Sequence, residues 1–105
     1  MSPSVDAAVA ALSQVASIAF AGANPFRQAT ALQLALTRPQ NAKFEIFDVS
    51  GRRVRTLLDR KMEPGSHRLR WDGTSETGKS VPSGVYFFKV GSEEVSRMMR
   101  VVRRR

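Results

Sequence analysis

Apolar side chains in this chain recur at every second position in short runs, and Gly, Pro, Asn or Asp cuts each run off within about ten residues. In "TALQLAL" (30–36) Leu32, Leu34 and Leu36 share one parity. In "KFEIF" Phe44 and Ile46 oppose Lys43 and Glu45, and in "HRLRW" Leu69 and Trp71 alternate with Arg68 and Arg70. A period of two places successive side chains on opposite faces of a strand, so these runs predict strands with one face inward. The residue types of 30–36 favour helix, but the alternation and Pro39 argue for strand.

The remaining runs extend the pattern. "SIAF" (17–20) alternates Ile18 and Phe20 with small residues and ends before Asn24 and Pro25, because proline has no N–H for a ladder. After "FEIFD", residues Asp48 to Gly51 carry turn chemistry, an Asp that bonds its own backbone and a Gly open to positive φ. Beyond it Val54 and Leu58 should face inward while Arg53 and Arg55 face water. "EPGS" (63–66), with Gly65, marks another turn. "GVYFFKV" (84–90), with Gly84 and Tyr86, is apolar on both faces, as in a central strand covered on two sides or flanked by aromatic surface contacts. "EEVSRMMRVV" (93–102) reads as the last strand, with Val95, Met99 and Val101 on one face. About seven short strands without an interior helix predict an all-β antiparallel sandwich.

A chain of 105 residues is the size of one domain. Residues 17–105 are expected to form it, and residues 1–16 to be a linker or frayed short helix left from a preceding segment. The Ala-rich start fits neither a signal peptide nor a membrane span. No Lys or Arg precedes its apolar run, Asp6 does, and Ser13, Gln14 and Ser17 interrupt it. The chain has no cysteine, which removes disulfides, thiolate metal sites and cysteine nucleophiles together without identifying a compartment. Seventeen Lys and Arg stand against nine Asp and Glu, and Arg97, Arg100, Arg103, Arg104 and Arg105 crowd the end. Such a surface attracts polyanions with little regard to fold, so charge widens the list of partners without choosing one.

"GTSETGKS" (73–80) satisfies the written form of a phosphate-binding loop, but that loop must open a helix at its Lys and Ser. Here Val81, Pro82 and Gly84 follow, and a strand after them, so no helix dipole can face a phosphate. The predicted role is a connection between two strands, with Asp72 accepting backbone N–H bonds and Gly73 and Gly78 supplying turn conformations. Asp72, Thr74 and Glu76 at alternate positions fail the EF-hand pattern, since glycine falls late and Ser83 replaces the closing glutamate; a looser surface calcium site is the alternative. His67, the sole histidine, begins a strand after a turn and has no partner base in the sequence. Catalytic, cofactor and metal residues are therefore not nominated, and no small-molecule substrate is expected.

"NPF" (24–26), "FEIFDVSGRRVRTL" (44–57), "PGSHRLRWDGTSETGKSVPSGVYFFKV" (64–90) and a final "MMRVV" stand in an order that resembles the FlgD-type immunoglobulin-like domain. This family is related to the C-terminal (type A) sorting domains of type IX secretion. The resemblance spans residues 18–102. It implies an immunoglobulin-like (fibronectin type III-like) sandwich in which Trp71 packs in the core and Lys79 is an ordinary loop lysine. It also implies a non-enzymatic module at the C-terminus of an exported, secreted or cell-surface bacterial protein. Its partner would be protein secretion machinery or an adjacent domain of the same polypeptide, with Arg97, Arg100 and Arg103 to Arg105 as the recognised end. Two alternatives stand beside it. One is a structural interaction domain of a flagellar hook-capping-like or adhesive assembly that uses an uncovered sheet edge. The other is a polyanion binder using Arg53, Arg55, Arg68, Arg70 and the tail, although no exposed aromatic row is expected to accompany the arginines.

Overall fold

In the computed structural model, which describes residues 15–92 and 96–104, the alternating runs become seven strands in two antiparallel sheets. They are β1 (Val15–Phe20), β2 (Thr30–Leu36), β3 (Gln40–Asp48), β4 (Arg53–Met62), β5 (Gly65–Trp71), β6 (Gly84–Ser92) and β7 (Ser96–Arg103). One sheet has the order β1-β2-β5 and the other β4-β3-β6-β7. Among the described residues there is no helix. Residues 1–14, most of the expected linker, lie outside the described residues, and β1 begins at Val15.

Alternation becomes burial wherever the strands are regular. Leu32, Leu34, Phe44, Ile46, Trp71, Phe88, Val90 and Val101 are fully buried between the sheets. Trp71 contributes the largest side chain, and its ring lies 5.5 Å from Phe26, 5.4 Å from Tyr86 and 5.8 Å from Phe88, tilted or edge-on to each. Those geometries suit the ring quadrupoles and add to the effect of area burial. Its indole N–H donates to the Thr74 carbonyl at 2.8 Å, so the polar edge of the ring is satisfied where the core meets the 72–83 connection.

The β3–β4 pair departs from strict alternation. Its register shifts twice, between Phe44 and Glu45 and again between Ile46 and Phe47, so that Leu57 and Val54 become extra residues in β4. Each such bulge changes which parity faces the core. Val54, Leu57 and Leu58 all pack against the core in consequence. Arg55, expected to face water, pairs instead with inward-facing Ile46 and is only 29% exposed along its side chain. Its guanidinium donates to Asp72 Oδ1 at 3.3 Å and to the Thr74 hydroxyl, tying β4 to the start of the 72–83 connection.

Candidate functional site

The expected recognition surface is β7 and its arginines, and period two divides them. Phe44, Val90 and Arg97 share one cross-strand row, and Ile46, Phe88 and Met99 share the next, so the odd positions of β7 face the other sheet. Arg97 Nη1 donates to the Ile18 carbonyl at 3.0 Å, bridging β7 to β1. Arg103 donates to the Gly73 carbonyl and is half-buried. Arg100 and Arg104 are exposed. Arg105 and Val95 lie outside the described residues. The four described arginines thus do not act alike: Arg103 and the otherwise exposed Arg97 each bond a backbone carbonyl of the other sheet or its connection, and Arg100 and Arg104 project from the sandwich. Arg97 and Arg103 share the parity of inward-facing Met99 and Val101, and that parity is the sequence signal for this division.

β7 is an edge strand, and the "NPF" segment covers its second half. Asn24 acts as a short length of strand: its side-chain amide donates to the Arg100 carbonyl at 3.1 Å, and its Oδ1 accepts from the Val102 N–H at 3.0 Å. Phe26 continues the pairing through its backbone, donating to the Val102 carbonyl at 2.9 Å and accepting from the Arg104 N–H at 2.7 Å. The Asn24–Pro25 peptide is cis, and the Phe26 side chain lies against Trp71 in the core. Unpaired strand edges invite association, and this clamp removes much of that opportunity at β7.

The "GTSETGKS" segment has a matching role at the opposite edge. It connects β5 in one sheet to β6 in the other, and its N–H groups are turned to internal carbonyls rather than gathered toward a ligand. Ser75 donates to Lys79 at 2.8 Å, Gly78 to Ser75 at 2.9 Å and Val81 to Gly73 at 2.9 Å. Glu76 lies on β4: its N–H donates to the Val54 carbonyl at 3.1 Å, and its Oε2 accepts from the Thr56 N–H at 2.9 Å. The carboxylate is therefore occupied by the fold. Among the described residues no group of three or more His, Asp or Glu is placed to hold a metal ion. Gly73 has φ +75°, a conformation that favours glycine, and a Cβ there would have to displace the end of the Arg103 side chain.

Two carboxylates in the connections are held below their ordinary pKa of 3.8. Asp48 is lowered first by the Ser50 hydroxyl, with N–H bonds from Arg52 and Ser50 and the Arg52 charge adding to it. Its Oδ1 accepts from Ser50 N and Oγ and from Arg52 N, which fixes the turn after β3. Asp72 is lowered first by the Thr74 hydroxyl, then by the Thr74 N–H and the Arg55 charge. Both are structural acceptors. Gly51 lies in the turn after β3 at positive φ, Gly65 opens β5 at positive φ, Gly84 opens β6, and the buried Tyr86 donates its hydroxyl to the Pro82 carbonyl at 2.7 Å. His67 donates through Nε2 to the Glu63 carbonyl at 2.6 Å.

The arginines proposed for polyanion binding are scattered. Arg68 and Arg70 project from the three-stranded sheet, Arg53 from the four-stranded one, and Arg55 is turned inward. No fully exposed aromatic row accompanies them among the described residues, but two half-buried rings stand close by. Phe47 and Phe87 are cross-strand partners on the outer face of the four-stranded sheet, with Arg53 opposite Phe47 and Arg100 opposite Phe87. Cross-strand register, which the linear pattern does not display, brings them together.

Comparison with known proteins now bears on this geometry. The model of the family FlgD Ig-like domain matches residues 20–95, more than half of the chain. The chain belongs to the FlgD Ig-like domain family. The matched span stops one residue before β7, so the arginine-bearing strand is outside it. Among solved structures, dimeric latent PorU from Porphyromonas gingivalis is similar over 82% of this chain and 9% of its own, with 21% identity and a TM-score of 0.64. PorZ of the same organism, described as an essential bacterial surface component of the type-IX secretion system, is similar over 91% of this chain and 12% of its own, with 22% identity and a TM-score of 0.54. At these identities the likeness is one of fold, and the chain spans only a small part of either protein. A search of curated proteins finds no match.

Proposed function

We propose that this FlgD Ig-like domain is a non-enzymatic module of an exported bacterial protein, serving as a sorting or cell-surface attachment domain. Arg100 and Arg104 are the contact residues presented to the secretion machinery or to an adjacent domain. The observation that carries this reading is the construction of β7. Asn24 and Phe26 lock its second half into the sandwich, and the Arg100 and Arg104 side chains remain outside. A strand held in this way is a rigid platform, and rigid presentation lowers the entropy cost of binding. The shared fold with parts of PorU and PorZ supports the setting in type IX secretion and a location at the cell surface reached through the periplasm.

The test is to fuse residues 15–105 behind a reporter in a host with the export system and to reverse both exposed charges, Arg100→Glu with Arg104→Glu. Loss of surface delivery with an unchanged melting temperature is the expected result. Undiminished delivery would remove the two arginines from the account. Truncation of residues 95–105 is a poorer test, because it strips buried Val101 from the core and leaves Asn24 without its partners.

A further inference from the structure

The outer face of the four-stranded sheet carries an apolar patch that the fold does not use. Val49 is 72% exposed and Met98 56% exposed, the two large hydrophobics most open to water among the described residues. They border a shallow depression with Phe47, Phe87, Lys89 and Gly51. Phe47 and Phe87 are partners in one cross-strand row, and Lys89 and Met98 in the next, so all four side chains stand on the same face. The Asp48 turn displays Val49 in a fixed position, since Asp48 Oδ1 accepts from both Ser50 and Arg52. A contiguous apolar patch on a rigid sheet marks an interaction site more often than a lone exposed side chain does.

Charge selects the occupant. Glu45, the cross-strand partner of Lys89 in the second of these rows, is 8% exposed and already shared between Lys43 Nζ at 3.8 Å and Arg53 Nη1 at 3.4 Å. Asp48 is engaged by its own turn and by Arg52. Lys89 and Arg100 border the apolar residues, and neither forms an ion pair among the described residues. A second copy of this chain would set one basic rim against another, which like-charge repulsion opposes. Single-stranded nucleic acid would stack on aromatic faces, but Phe47 and Phe87 are half-buried side by side, and aliphatic Val49 and Met98 are the residues that stand proud.

We infer that the outer face of the β3-β6-β7 side, centred on Phe47, Val49, Phe87 and Met98 and rimmed by Lys89 and Arg100, docks a polypeptide segment that combines apolar side chains with Asp or Glu. This inference does not rest on the export reading, and its test contains no secretion step. The full chain is panned at low salt against a random-peptide phage library, and the selected peptides are titrated against wild type, Met98→Asp and Lys89→Glu. Both substituted side chains are exposed, and thermal melts verify that the variants keep the fold. The expected peptides contain apolar residues together with Asp or Glu, and bind Met98→Asp on the order of tenfold more weakly, as loss of one interface anchor does. Lys89→Glu should weaken them as well and flatten their salt dependence. Peptides without acidic enrichment, peptides indifferent to Met98→Asp, or failure to select any would overturn the inference. So would sedimentation showing a dimer that Met98→Asp dissolves, or a generic single-stranded oligonucleotide that binds through this face when no peptide does.

Discussion

Replacing Asn24 with Ala removes both side-chain bonds that hold the edge of β7, at 3.1 Å to the Arg100 carbonyl and 3.0 Å from the Val102 N–H. A hydrogen bond contributes about 0.5–1.5 kcal/mol net, so the pair is worth about 1–3 kcal/mol. Both lie at an exposed edge where water can re-solvate the freed groups, which places the expected loss at about 1–2 kcal/mol. For a domain of this size that lowers the melting temperature by roughly 4–16 °C. Asn24→Asp separates the two bonds, because a carboxylate still accepts from Val102 but cannot donate to Arg100, and its loss should be intermediate. Urea denaturation gives the free energies, and hydrogen exchange at the Val102 amide reports the clamp directly. If Asn24→Ala changes stability by less than about 0.5 kcal/mol, as ordinary surface substitutions do, and Val102 stays protected, the clamp is not what holds β7.

Other expectations follow from the same structure. Trp71→Ala empties the centre of the core, where Phe26, Tyr86 and Phe88 surround the indole, and should cost about 3–5 kcal/mol by denaturant titration; a cost below about 1.5 would contradict its central place. Gly73→Ala meets both a positive φ and the Arg103 guanidinium, so it should lose about 1–3 kcal/mol, and combining it with Arg103→Ala should return part of that loss by removing the collision alone. Asp48 and Asp72 are more acidic folded than unfolded, so the stability they contribute is present above the ordinary value of 3.8 and declines as pH falls through their lowered folded values. The melting temperature should therefore drop on acidification through this range, and Asp48→Asn should make that drop shallower; an identical acid limb in the variant would count against the Asp48 turn.

How far the sequence discloses this molecule depends on how local the determining interactions are. β2, β3 and β5 are legible because one alternating face is enough to define each, and Leu32, Phe44 and Trp71 are all fully buried as their parity demands. The bulges in β4 are not legible, since they are set by pairing with β3, and they turn Arg55 inward against its local parity. The connection at 73–80 could be denied a phosphate-binding role from Val81 and Pro82 alone. That Glu76 would seal the β4 edge through Thr56, twenty positions earlier, could not be read locally. The same is true of Asn24, whose partners lie 76 and 78 positions away. At the candidate site the basic end is legible, and the division of its arginines follows from the parity of β7. The Phe47–Phe87 patch needed cross-strand register.

The central proposal is that this domain by itself is enough to sort or attach a protein at the cell surface. An inert reporter bearing its own inner-membrane export leader, fused ahead of residues 15–105 and expressed in a type IX-competent host, tests it most directly through the amount of reporter delivered to the cell surface or medium. The account expects delivery with the wild-type module, and retention in the periplasm for the reporter alone and for a fusion unfolded by Trp71→Ala. Equal delivery with and without the module would contradict it.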